Sequence, residues 1–175
     1  NIEAAAIGCN MAFAPVCDIH YNWQNSEIIQ RAFGNDAQRV AEMSKAYMDG
    51  VHTIEGFASV AKHFPGNGLD FRDAHISNNI NDMSEEEWMA TYGHVYKTLI
   101  DADLDAIMGG HIMMREYMKS VRPDIKDEEL MPATLCPEIM TGLLRDKLGF
   151  NGMVVTDASH MVGMTNRMTR KEMLP

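Results

Sequence analysis

The chain has 175 residues, 46% of them hydrophobic, and carries a formal net charge of −10. That length buries one sizeable core, and the acidic balance without a basic patch argues against nucleic acid or an anionic membrane surface as partner. No apolar run approaches the ~20 residues that a membrane span requires, and the sixteen methionines read as flexible core filling.

Cys9, Cys17 and Cys136 lack CxxC spacing and cannot all pair within one chain, which favours buried free thiols and a reducing, cytoplasmic compartment. Asn1 to Ala6 offers neither an initiator methionine nor a charged leader, so the expectation is a chain that begins partway through a domain. Ala4 to Val16 reads as an apolar strand ending near Asp18, and a helix is predicted over 36–49, stopped by Gly50. The next strand is Phe57 to Ala61. It runs into a glycine-rich loop, Lys62-His63-Phe64-Pro65-Gly66-Asn67-Gly68, which continues through Arg72, Asp73 and His75 to Asn81.

Ser84 with Glu87 three residues on forms a capping box, and Trp88, Tyr92, Val95, Tyr96, Leu99 and Ile100 mark one face of the helix behind it. Ala106 to Met108 is a third strand, leading to Gly109, Gly110 and His111. A polar connection from about Glu116 to Pro132 precedes a helix opened by Pro137 and closed by Gly149. The fourth strand, Met153 to Thr156, ends on Asp157. Alternating strands and helices favour parallel pairing, hence an α/β barrel or an open doubly wound sheet, with no internal domain boundary over 1–175.

Asp18, Lys62 with His63, His111 and Asp157 each follow a predicted strand, and parallel strands put those ends on one side of the sheet. Convergence from several strand ends suits a TIM (β/α)8-type barrel better than an open sheet, whose ligands gather at one switch point. A complete barrel needs eight strands and typically ~250 residues. This chain supplies about half of one, so the rest of the barrel, and potentially a second domain, is expected outside it.

Ala14-Pro15-Val16-Cys17-Asp18, Arg31-Ala32-Phe33-Gly34, the Lys62 to Gly68 block with Asp73-Ala74-His75, and Val154-Val155-Thr156-Asp157 resemble, in order, the N-terminal barrel of glycoside hydrolase family 3. The resemblance implies a carbohydrate substrate, no cofactor and no metal. It implies Asp157 as nucleophile of a retaining exo-β-glycosidase that forms a covalent glycosyl-enzyme. His75 assisted by Asp73 corresponds to the acid/base of the β-N-acetylglucosaminidase branch, whereas the β-glucosidase branch takes a glutamate from a second domain. By the same matches Asp18 accepts hydrogen bonds from sugar hydroxyls, and Arg31, Lys62 and His63 donate them. His111 is a further substrate contact suggested by its place after a strand.

An imidazole suits the acid/base task, because its ordinary pKa near ~6.5 allows it to give and take a proton near neutrality. Residues two apart in an extended loop face the same way, so Asp73 reaches His75. Competing readings are plain. Asp157 caps a helix, Asp73 and His75 form a solvent-exposed pair, Lys62 and His63 are an ordinary strand exit, and Arg31 bridges loops. The functional alternatives are a β-glucosidase or other family 3 glycosidase, a glycoside phosphorylase, a metal-dependent hydrolase using His63, Asp73, His75 and Asp157, or a non-catalytic sugar-binding fragment.

Overall fold

The computed structural model of the protein describes residues 1–173. Its N-terminal stretch differs from the predicted strand. Ile2–Ala6 is a short helix, α1, with no buried residue, and strand β1 is confined to Met11–Ala12. Three consecutive alanines favour helix over strand, and the N–H missing from Pro15 interrupts the ladder. Pairing resumes at Val16, bridged to Lys62.

Helix α2, Ala37–His52, starts where the Asp36 carboxylate accepts the Arg39 N–H at 2.8 Å, satisfying an otherwise orphaned donor. Val40, Ala41, Ser44, Met48 and Val51 form its buried stripe. Strand β2, Ala58–Phe64, extends three residues beyond the predicted end, so Lys62 and His63 belong to the strand. Two-residue β3, Asn79–Ile80, follows the long loop.

The next helix is one run in three parts: α3 Glu85–Trp88, a π-type turn Met89–Gly93, and α4 His94–Ile100. Its capping box is present, with Ser84 N–H donating to Glu87 at 2.9 Å and Glu87 N–H to the Ser84 hydroxyl at 3.3 Å. Trp88, Tyr92, Val95, Tyr96 and Leu99 are fully buried, while Ile100 packs at the margin.

Strand β4 is Ala106–Gly109 and β5 is Ile112–Met113. Helix α5, Arg115–Val121, occupies the start of the stretch expected to be irregular; with only Tyr117 and Met118 buried, its pattern is too short to show a period. A π-type helix, Glu138–Lys147, is terminated by Gly149 at φ +74. Strand β6, Met153–Thr156, and the short helices α6, Val162–Thr165, and α7, Arg170–Met173, complete the described chain.

The main sheet is entirely parallel in the order β1-β2-β4-β6, and β3 pairs with β5 in a small second sheet. Spatial order follows chain order without the reversal that defines a doubly wound sheet, so these strands form an arc of an α/β barrel. Ala61, Ile107 and Val154 point to the helix side and join the large core with α2 and α4 residues. Met11, Val60, Ala106, Met108 and Val155 make a smaller apolar layer on the opposite, barrel-interior face.

Candidate active site

A cavity of about 350 Å³ opens at the C-terminal ends of the strands, lined by Phe13, Arg31, Lys62, His63, His75, Met108, Thr156, Asp157 and Ala158. Five of the eight residues expected to form a site therefore meet in one space. Lys62 and Met108 are register partners, as are Met108 and Val155, so Lys62 projects from the interior face. His63 is next in sequence and ordinary alternation sends it to the other face. The register shifts between Lys62 and Phe64, and an irregularity of this kind re-aims a side chain, letting both neighbours line the cavity.

His63 is held from below. Asp18 is fully buried and uses one oxygen for the His63 ring Nδ1–H at 2.7 Å, the other for the backbone N–H groups of His63 at 3.3 Å and Asn67 at 2.7 Å. Asp18 was expected to accept sugar hydroxyls directly. The structure places it outside the cavity lining with both oxygens engaged, where it orients His63. Arg31 approaches His63 Nε2 at 3.3 Å; a guanidinium only donates, so Nε2 accepts and the ring proton points into Asp18. His63 Nε2 lies 3.9 Å from the Asp157 carboxylate.

Asp157 continues the β6 ladder, its N–H donating to Gly109 C=O at 2.9 Å, and one carboxylate oxygen accepts the Ala158 N–H at 2.7 Å. Its side chain is 19% exposed. Lys62 beside it has a lowered pKa, chiefly from burial and then from the Arg31 charge, with Asp157 and Asp18 opposing.

Asp73 meets His75 at 2.6 Å between Oδ1 and ring Nδ1. The loop is a turn rather than the extended stretch expected, since Asp73 C=O accepts the N–H groups of Ile76 and Ser77 and Asp73 Oδ1 accepts the His75 N–H at 2.8 Å. An aspartate that bonds the backbone two residues on closes an Asx turn, and that turn brings the ring back to its own carboxylate. The His75 pKa is raised, first by this hydrogen bond and further by the charges of Asp73, Glu27 and Asp157, against burial. With Nδ1 committed to Asp73, Nε2 is the nitrogen free to exchange a proton.

His111 was expected to touch substrate, but it does not line the cavity and both its ring nitrogens are engaged. Nε2 donates to Ala158 C=O at 3.0 Å, and Nδ1 accepts from the Thr134 hydroxyl at 2.8 Å. Burial lowers its pKa, so it braces the backbone next to Asp157 as a neutral ring. His52 and His94 do not line the cavity and pair with Asp105 and Gln38.

Two residues escaped the sequence reading. Asn67 is buried and its side-chain oxygen accepts from Asn25 at 2.9 Å, Asn79 at 3.0 Å and the Gly68 N–H at 2.7 Å, tying three loop segments together. Glu27 reaches across to the Asp73 turn, accepting the Ala74 N–H at 3.2 Å. Nothing local marks either as part of the site, because the Asn25–Asn67 and Glu27–Ala74 contacts join segments 42 and 47 residues apart. Ligand atoms of Glu27, Asp73 and His75 lie within 4.8 Å of one another; inside this cluster Asp73 bonds the His75 ring and one Glu27 oxygen accepts the Ala74 N–H.

The model of the glycosyl hydrolase family 3 N terminal domain matches residues 1–175. The chain belongs to that family. It is 42% identical over 173 residues, 99% of this chain and 30% of the relative, to a β-N-acetylglucosaminidase/β-glucosidase of Cellulomonas fimi. Among solved structures it resembles the β-glucoside phosphorylase BglX bound to 2FGlc, with TM-score 0.95 and 42% identity over 99% of this chain and 31% of that one. It also resembles a family 3 β-N-acetylglucosaminidase from Paenibacillus sp. str. FPU-7, with TM-score 0.83 and 32% identity over 94% of this chain and 29% of that one. The chain thus spans under a third of the length of each of these relatives.

Proposed function

We propose that the chain carries the nucleophile and acid/base of a retaining β-glycosidase acting on terminal β-linked N-acetylglucosamine. The observation that supports this most is the cavity itself, which places Asp157 and the His75 ring in one lining, with Asp73 bonded to that ring. In the first step the Asp157 carboxylate attacks the anomeric carbon while His75 Nε2–H protonates the departing oxygen. In the second, neutral His75 takes a proton from water, which attacks the glycosyl ester and releases Asp157. Asp73 stabilises the imidazolium in the first step and fixes the tautomer in the second. Arg31, Lys62 and His63 surround the sugar, with Asp18 and His111 holding the framework behind them.

A second reading, a β-glucoside phosphorylase, is favoured by the 0.95 TM-score to a protein of that description and by the acid/base being an imidazole, which does not repel an incoming phosphate as a carboxylate does. Turnover of aryl β-N-acetylglucosaminide and aryl β-glucoside by the full-length protein, with and without inorganic phosphate, separates the two. Free N-acetylglucosamine at a rate indifferent to phosphate supports the hydrolase. A sugar 1-phosphate and a phosphate-dependent rate support the phosphorylase. Asp157→Ala is expected to lower kcat by about 10³-fold or more on either reading, and undiminished turnover by that variant removes both.

A further inference from the structure

The Asp73-Ala74-His75 turn is fastened on two sides. On one, Gly163 N–H donates to Ala74 C=O at 2.9 Å and Val162 N–H to His75 C=O at 3.2 Å, binding the turn to the segment that follows Asp157. Gly163 sits close against its neighbours, since a Cβ there would lie 3.0 Å from the Ala74 carbonyl oxygen and 3.1 Å from His111 Cβ. On the other side stands Glu27, from the loop between β1 and α2. Its side chain is only 4% exposed, one oxygen accepts the Ala74 N–H at 3.2 Å, and the other lies 4.0 Å from His75 Nδ1. Ala74 is buried and both its peptide groups are thereby held.

A carboxylate withdrawn from water keeps its charge only beside a donor or a cation. Among the described residues, the one ion-pair contact of Glu27 is His75. We propose that Glu27 is a positioning residue for the acid/base: its carboxylate aims the turn through the Ala74 N–H and favours the protonated ring of His75. This rests on the reading of His75 as the acid/base. The charged and titratable groups around that ring are Asp73 from its own turn, Glu27 from the loop before α2 and Asp157 from the end of β6, with His111 nearby. Asp73 makes the direct bond. Glu27 acts on the same ring from across the fold.

Two variants of the full-length protein divide the roles. Glu27→Gln keeps an oxygen for the Ala74 N–H and removes the charge, whereas Glu27→Ala removes both. The His75 ring titration followed by NMR is expected to move to lower pH in both variants. Turnover of phenyl and 2,4-dinitrophenyl β-N-acetylglucosaminides and β-glucosides is expected to fall selectively. In Glu27→Ala the phenyl substrates, which need protonation to leave, lose about 10- to 100-fold in kcat, while the dinitrophenyl substrates change less than about 3-fold, with KM little altered. Glu27→Gln falls between that variant and the parent.

An unmoved His75 titration in both variants, or equal losses on the two leaving groups, overturns the proposal. The titration does not depend on turnover, so it still decides the role of Glu27 if neither sugar proves to be a substrate. Retained activity in Asp157→Ala rejects the glycosidase reading and leaves the titration result standing.

Discussion

The proton of His75 is governed by carboxylates from three separate elements, and its direction of shift has a testable sign. Asp73 raises the pKa by hydrogen bonding to Nδ1, and the charges of Glu27 and Asp157 add to it. On the proposed mechanism the first chemical step needs the imidazolium, which is present below that pKa and lost as pH rises through it. The alkaline limb of kcat/KM therefore reports this group. In Asp73→Asn the hydrogen-bond acceptor loses its charge, the pKa falls, and the alkaline limb is expected to move to lower pH. A pH profile on a phenyl glycoside checks it, and an alkaline limb left in place assigns that limb to another group. His63 illustrates a different use of the same side chain, since Arg31 on one ring nitrogen and Asp18 on the other make it a fixed link between loops.

At the scale of elements, the turn after β2 is shaped by the helix packed behind it. Trp88 Nε1–H donates to Pro65 C=O at 2.8 Å, and the Tyr92 hydroxyl donates to Asn67 C=O at 2.7 Å. Phe64 sits edge-on to Trp88 and Tyr96 at 5.9 and 5.0 Å between ring centroids. Gly66 and Gly68 both have positive φ, +121 and +107, and a Cβ at Gly68 would fall 2.1 Å from the Ile19 carbonyl oxygen. Backbone cannot yield there as the tip of a side chain does. Gly68→Ala is expected to destabilise the protein by about 2–4 kcal/mol, read as a lower denaturant midpoint, and to disturb the seat of His63 through Asn67 and Asp18. A midpoint equal to the parent's contradicts this account of the turn.

At the largest scale, among the described residues the main sheet has two unpaired edges, β1 and β6. A closed barrel has none. On β6, Met153 is 45% exposed, and Phe13 beside the cavity is 55% exposed, so apolar surface that a barrel encloses faces solvent here. Prepared alone, the 175-residue chain is expected to self-associate and to turn over substrate poorly. Sedimentation velocity and a glycosidase assay at matched concentration check this. A monodisperse, fully active monomer contradicts it.

Much of the molecule was legible in the residues. The strand-then-helix order, the capping box at Ser84, the Trp88 to Leu99 stripe and the β6 strand ending on Asp157 follow from period and turn chemistry, which are local and act over a few residues. The Lys62 to Gly68 block and the Asp73–His75 pair were identified by pattern, and the family match agrees with that resemblance. Helix α1, the extension of β2 to Phe64 and helix α5 were not legible, because an alanine run, a strand end and two buried residues give no periodic signal. The places of Asp18, His111, Asn67 and Glu27 were decided only by the tertiary structure. Each makes at least one hydrogen bond that reaches 23 to 49 residues along the chain, and which lone pair is left for a ligand depends on partners that sequence spacing does not bring together.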